Sequence, residues 1–470
     1  MKKSDENKLL LDYPSKDLLE KFGKGGHKPG SGSAAAFQGM LATKLLNTVI
    51  AITCGDKYKE KYKEVVPELL KKDMDLSERI FPSLEELFQK DAVLFDKVIQ
   101  LREERDKETD LQRLNNLKLK AQEALKPATE ILLQIGDNCA DIAYHAAFVF
   151  DKGFKAAKGD SGVALNGAVA ALGGCLSVID LNLAYFGCDQ WTINVREQLA
   201  KLRLDYNKIF VEAKKLMDEF TTSSHTKSFN LAKKELNSGR WEGINLTRSS
   251  IEAVAEQAAA LMWDFRDLIW TQDAPQFQYE VSKPEITFEK ILGYKFGYAS
   301  LGYHQSNGTA FQIAGQISKS EKLVVISKDL PPEVRNFTAA HELGHALLHD
   351  GMDILHRDRP LDGSSNGTKD VREIQADKFA SCFLMPRNNV RVVFQSIFLI
   401  EKFTINQNTL FALGFRSISE FRNKYRNLRS LSRFIAKYQG KTYQPLHQVF
   451  QVSVEAMAIR LEELDLVQYD

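Results

Sequence analysis

Between Phe337 and Leu348 the chain reads FTAAHELGHALL, which contains the pattern H-E-x-x-H. The Ala and Leu residues favour a helix, and on a helix His341 and His345 stand one turn apart on one face with Glu342 beside them. Two neutral imidazoles at that spacing suit a zinc ion, and a neighbouring carboxylate can take a proton from water. A catalytic zinc needs a third protein ligand, which must come from elsewhere in the chain. The bare pattern arises by chance in roughly one chain in a hundred of this length, so the downstream sequence decides. Glu373 opens the run EIQADKFASCFLMP, where Ala376, Phe379, Ala380 and Phe383 recur at helical spacing. A second amphipathic helix therefore starts at Glu373 and carries Asp377 one turn later. In this reading His341, His345 and Glu373 hold the metal, and Glu342 is the catalytic carboxylate. Asp377 accepts a hydrogen bond from the second nitrogen of a ligand histidine. His349 and His356 are rival third ligands. His349 continues the same helical face and would have to reach around the metal, so it reads as a supporting or packing residue.

Positioning these groups takes more than two helices. After Pro284 a helix at about Phe288 to Lys295 precedes three strand-like runs, GYASLGYHQ, AFQIAGQIS and KLVVIS. They predict a small sheet against which the H-E-x-x-H helix packs, with an edge strand free to pair an extended substrate. Residues 285–389 form this catalytic core. Residues 390–445 read as a basic helical insert: Val390 to Lys441 holds ten Lys/Arg against two Glu, with Phe415, Phe421, Tyr425 and Phe434 interleaved. A solvated helix face with its aromatics turned inward is favoured over direct nucleic-acid contact. Residues 446–470 close the domain, and Glu455, Glu462 and Glu463 disfavour insertion into a DNA groove.

FTAAHELGHALLH followed by E-x-x-A-D-x-F-A-x-x-x-L-M-P resembles the ImmA/IrrE family of metallopeptidases over about Ile286 to Met385. VFQVSVEAMAIRLEELDLV resembles that family's helical close. The resemblance implies an α+β, zincin-like metallopeptidase fold with zinc on His341, His345 and Glu373. It also implies Glu342 as catalytic carboxylate and a repressor-like DNA-binding protein as substrate. Asp377 stands where the family often has Asn, and Arg372 is one nearby group that could stabilise an oxyanion.

The first half of the 470 residues carries different signals. Length alone predicts two or three domains, and a net charge of +1 gives no global pull toward nucleic acid or membrane. Five cysteines, Cys54, Cys139, Cys175, Cys188 and Cys382, are scattered without a C-x-x-C pair, which argues against a disulfide framework or a thiolate zinc site. MKKSDENKLL lacks the apolar core of a signal peptide, and a soluble cytoplasmic protein is expected. After a tail of residues 1–14, residues 15–220 read as an all-α helical bundle. Its helices lie at about Ser15 to Phe22, from near Ser33, at Pro67 to Phe88, Ala92 to Arg105, Leu111 to Phe148 and Val195 to Phe220. Gly162 to Leu183 is the central helix; it is apolar enough to suggest a membrane span, but its Gly, Ala and Asn content favours a buried core helix. The glycine-rich loop before Ser33 lets backbone N–H groups approach an anion, yet it lacks the G-K-[ST] close of a nucleotide-binding loop. Residues 221–284 read as a helical connector. Its apolar helix Ser250 to Trp270, with Trp263 and Trp270, is expected to be a strut packed against the bundle.

PGSGSAAA, KDAVLFDKV, LKPATEILL and GDSGVALNGAVAAL, in that order, resemble the cyclodeaminase/cyclohydrolase family. This is the helical domain of formiminotransferase-cyclodeaminase and of stand-alone methenyltetrahydrofolate cyclohydrolases. The resemblance implies a folate-like ligand, a homodimer, and Gly30, Ser31, Gly32, Ser33, Asp91 and Asp160 as pocket residues. Ser31 replaces a usual glycine, VIDLNL departs from the family's run, and Glu104 to Asp110 is charged. These departures favour a ligand-sensing fold over retained activity. Together the halves predict a zinc endopeptidase acting on a regulatory protein, with the helical domain as sensor, gate or dimerisation unit. The alternatives are a folate-like sensor or scaffold, and a cyclohydrolase with an accessory peptidase domain.

Overall fold

Helix-forming segments rich in Ala, Leu and Lys build every described element of the first compact unit, Met1–Thr222; the second unit is Ser223–Asp470. The computed structural model describes residues 9–238, 246–306, 309–349, 354–360, 370–440 and 443–469, with only the backbone described at 304–306, 309–311, 354–360 and 412.

The first unit contains α1 (Ser15–Gly23), α2 (Ser31–Cys54), α3 (Val66–Asp75), α4 (Phe81–Lys107), α5 (Leu111–Lys152), α6 (Lys158–Leu183) and the start of α7 (Gln190–Leu236). The Gly- and Ala-rich α6 packs on both α2 and α5, burying Ala164, Leu165, Ala168, Leu172, Cys175 and Ile179. Small side chains let the three backbones approach, so α6 is the centre of the bundle. Both α2 and α6 are long and apolar enough to cross a membrane, with 50% and 56% of their apolar windows buried inside the protein. Two boundaries differ from the sequence reading. The break expected between Phe88 and Ala92 does not occur: Asp91 lies inside α4, and a single π turn, Leu76–Ile80, joins α4 to α3. At the other end α7 continues through the polar stretch at Thr222. There Thr222 Oγ1 donates to the carbonyl of Asp218 at 2.9 Å, one turn back.

After the end of α7, the second unit contains α8 (Arg248–Asp264), α9 (Arg266–Ile269) and α10 (Pro284–Ile286) and continues into a five-stranded sheet of β1 (Lys295–Ala299), β2 (Tyr303–Ser306), β3 (Thr309–Ser318), β4 (Leu323–Ser327) and β5 (Ile354–Pro360). The first expected strand run divides into β1 and β2. In the sheet, β1 runs parallel to β4, with Lys295 opposite Leu323, while β3 pairs antiparallel with β2, β4 and β5. β5 was not anticipated, because ILHRDRP is largely polar and shows no apolar alternation. Between β4 and β5 lies α11 (Pro332–Leu348), and after them α12 (Val371–Leu384), α13 (Arg387–Phe398), α14 (Gln407–Ala412), α15 (Ile418–Lys424), α16 (Leu428–Lys437), α17 (Leu446–Val449) and α18 (Val454–Glu463).

The helix expected to be a strut against the bundle does something else. α8 buries Ile251, Val254, Ala255, Ala258 and Met262 in the core of the second unit and packs on α12. Its Glu252 accepts from Arg460 of α18 at 2.7 Å and from Arg387 of α13 at 2.8 Å. Arg460 is 1% exposed and also donates to the carbonyl of Met385 at 3.0 Å and to Glu463 at 3.1 Å. One guanidinium thus ties the closing helix to α8 and to the end of α12. The basic insert is also inward-looking: Phe415, Phe421, Tyr425 and Phe434 pack on one another. Arg429 donates to Glu462 at 2.8 and 2.9 Å and to Glu455 at 2.7 Å, and Arg433 pairs with Glu455. The glutamates of the closing helix neutralise part of the insert's charge.

Arg460→Ala should lower the unfolding free energy of the protein by about 3 kcal/mol, because it leaves a largely buried carboxylate short of a partner. Arg433→Ala, at a solvent-exposed pair, should leave the unfolding free energy nearly unchanged. Urea denaturation of both variants checks the contrast.

Candidate active site

The candidate metal-ligand residues come from α11 and from the first turn of α12. Asp370 caps α12 by accepting from the N–H of Arg372 at 3.1 Å, which fixes where the helix starts and hence where Glu373 points. His341, Glu342 and His345 are all buried. The two Nε2 atoms lie 3.0 Å apart; His341 Nε2 is 3.2 Å from one oxygen of Glu373, and His345 Nε2 is 3.2 Å from the other. Among the described residues these three form the one group of His, Cys, Asp and Glu whose donor atoms converge, all within 4.8 Å of one another. Ligands about 2.0–2.1 Å from a tetrahedral zinc are separated by about 3.3 Å, so the donor set fits that ion. Charge states agree with the fit. Burial pushes the His345 imidazole toward its neutral form, partly opposed by Glu373. Burial also opposes ionisation of Glu373, but the two imidazoles beside it outweigh burial and hold the carboxyl far below the usual range.

The outer nitrogens of the two imidazoles are also engaged. His341 Nδ1 lies 3.0 Å from Asp377 Oδ1. His345 Nδ1 lies 2.9 Å from Nδ1 of His349, whose Nε2 is 2.9 Å from Gln375 Oε1. The tautomers follow from this chain: the Gln375 oxygen can only accept, so His349 Nε2–H donates to it and His349 Nδ1 accepts from His345 Nδ1–H. His341 and His345 therefore both present an Nε2 lone pair to the centre. Burial pushes His349 down to about 4, so it stays neutral and can pass the orientation on. Gln375 escaped the sequence reading because a glutamine in a helical turn carries no signal of its own; only the position of His349 opposite it gives it meaning. His356 lies on β5 opposite Gln316, and its side chain is outside the described residues.

Two glycines set the spacing of the site. A Cβ at Gly344 would stand 3.1 Å from Cα of Ala376 and 3.3 Å from its carbonyl, so α11 and α12 meet backbone to backbone. A Cβ at Gly315 would stand 2.9 Å from Glu342 Oε1 and 2.8 Å from Thr338. Gly315 lies where the register of β3 against β5 shifts. The strand can therefore lie against the face of α11 that carries Glu342.

The first-unit residues behave differently. Gly30 precedes α2, whose third residue Ser33 donates through its backbone N–H to Asp91 Oδ2 at 2.6 Å and through Oγ to the same atom at 2.7 Å. Asp91 is 5% exposed, and a Cβ at Gly32 would overlap it. The place where an incoming anion could meet the start of α2 is thus taken by an internal carboxylate. Burial raises the Asp91 carboxyl above its ordinary range, against the pull of the Ser33 hydrogen bonds. Ser31 and Asp160 are exposed, the latter in the first turn of α6; among the described residues no hydrogen bond or ion pair joins Asp160 to Ser33 or Asp91. The structure brings Gly32, Ser33 and Asp91 together as a helix start and leaves Asp160 outside that arrangement.

Residues 14–201 match the family described as Formiminotransferase-cyclodeaminase, and residues 292–402 match the IrrE N-terminal-like domain of the peptidase class. The chain is similar to methenyltetrahydrofolate cyclohydrolase of Methylorubrum extorquens, 32% identical over 155 residues, which is 33% of this chain and 72% of that protein. Among solved structures it is similar to formiminotetrahydrofolate cyclodeaminase of Thermotoga maritima, with 20% identity and a TM-score of 0.39 over 45% of this chain and 99% of that one.

Gly344→Val should force α12 outward and weaken zinc binding at least about tenfold, since the ligand from α12 leaves its place. Gln375→Leu should weaken it by about 10- to 100-fold through loss of imidazole orientation alone. Competition with a chromophoric chelator measures both, and wild-type affinity in Gln375→Leu would refute the relay through His349.

Proposed function

Since the chain belongs to the formiminotransferase-cyclodeaminase family through its first unit and carries an IrrE-like peptidase domain in its second, we propose that it is a zinc-dependent endopeptidase acting on a regulatory, repressor-like protein. The first unit serves it as sensor, gate or dimerisation surface. The observation that carries this reading is the convergence of His341 and His345 Nε2 on the two oxygens of Glu373, at 3.2 Å each. Zinc bound there would supply a Lewis acid to water and to the scissile carbonyl.

The residues of the chain do the rest. His341, His345 and Glu373 hold the metal, and Asp377 and the Gln375–His349 relay keep the imidazoles turned toward it. Glu342, walled by β3 at Gly315, takes a proton from the attacking water and returns it to the departing amine. The outer edge of β5 is unpaired among the described residues and is offered to an extended peptide. All five cysteines are free, in keeping with a reducing, cytoplasmic setting.

The first unit supports a ligand-binding role, because the Methylorubrum extorquens relative is a methenyltetrahydrofolate cyclohydrolase. With Asp91 committed to the start of α2, we assign this unit binding of a folate-like molecule without turnover. Association into a dimer through its helices is part of the same proposal.

Glu342→Gln should keep its zinc yet lose cleavage by about a hundredfold or more. Co-expression of wild type or Glu342→Gln with repressor-like proteins encoded nearby, followed by mass spectrometry, tests this; equal cleavage by both would end the peptidase reading. Adding 5,10-methenyltetrahydrofolate to the full-length protein should change the cleavage rate while the folate derivative itself is not hydrolysed faster than in buffer. An unchanged cleavage rate removes the gate, and enzymatic hydrolysis restores the first unit to catalysis.

A further inference from the structure

The second unit holds a cavity of about 640 Å³ that contains none of His341, Glu342, His345 or Glu373. It lies between the segment around Tyr279, one side of α13 and the stretch that leads into α17. Four aromatic side chains, Trp263, Phe277, Tyr279 and Tyr443, contribute to its wall, and no charged side chain lines it. Phe277 and Tyr279 are stacked, with ring planes 5° apart. The volume falls in the range of small-molecule sites, about 300–1,000 Å³.

One polar group stands out in this wall. Asn389, in the first turn of α13, lines the cavity and is 9% exposed. Its side-chain amide keeps some solvent access from the cavity and makes no hydrogen bond to any described residue. A carboxamide offers a donor and an acceptor side by side, so its complement is a group with an acceptor and a donor at the same spacing. Flat aromatic walls favour a planar occupant. The uncharged lining offers a phosphate or carboxylate no charge partner. No strand lines the site, so an extended peptide would find no backbone ladder to join.

We infer that this cavity binds an uncharged planar heterocycle, of the purine or pterin class, whose donor–acceptor edge pairs with the amide of Asn389 and whose faces lie against the aromatic wall. The pairing is the one asparagine makes with the edge of adenine. The site is independent of the metal centre and gives the second unit a ligand of its own.

The test uses the full-length protein titrated with adenine and with 2-amino-4-oxopteridine, read by quenching of Trp263 fluorescence and by equilibrium dialysis; Trp263→Phe identifies the signal. Wild type should bind at least one of the two saturably, and Asn389→Leu should weaken that binding at least tenfold. Because the amide has no partner inside the protein, Asn389→Leu should unfold at a temperature no lower than wild type, which separates lost binding from lost fold. Absence of saturable binding by either heterocycle would overturn the inference, as would undiminished affinity in Asn389→Leu. Binding of N-acetylphenylalaninamide but of neither heterocycle would overturn it in favour of a peptide side-chain pocket.

Discussion

The approach of α11 to α12 at Gly344 is the constraint on which the rest of the second unit depends. With no side chain at that position, the two helices come close enough for Glu373, in the first turn of α12, to meet two imidazoles rooted in α11. Any larger residue would have to displace the backbone of Ala376. Gly315 works in the same way on the far side of α11, letting β3 lie against Glu342. The positions of Glu342 and of the His341, His345 and Glu373 cluster are therefore set by what two glycines omit, and the helices and sheet around them are the means of holding that omission in place.

Holding α12 requires partners on its other faces, and these come from distant parts of the sequence. α8 packs on it from the N-terminal side of the unit, and Arg460 reaches back from α18 to the carbonyl that ends it. An ion network as buried as Glu252 with Arg460 and Arg387 adds little net stability relative to a well-packed apolar alternative. It does discriminate between arrangements, because a shift of α18 or α8 would strand a charge. In this protein the network serves to fix the end of α12, and through that helix the position of Glu373.

Much of this was legible in the sequence, and for a physical reason: helical spacing turns H-E-x-x-H and the run from Glu373 directly into faces, so the convergence of His341, His345 and Glu373 could be read without coordinates. Asp377 was legible by the same spacing. Gln375 was not, since its contact with His349 depends on how two helices cross. β5 was hidden by its polar composition, and the membership of α8 in the second core was hidden because an apolar helix does not say which core it joins. In the first unit the order of four motifs was enough for the family and the bundle. The inward turn of Asp91 was not readable, because a carboxylate that caps a helix inside the protein and one that faces a ligand have the same sequence.

The most direct test of this account is the zinc content of the purified full-length protein, measured for wild type beside His341→Ala and Glu373→Ala. The account predicts about one zinc per chain in wild type, as for a single three-ligand site, and its loss in both variants. No zinc in wild type after the metal has been supplied would contradict it. So would full retention in Glu373→Ala, since the meeting of α12 with α11 would then have no part in holding the ion.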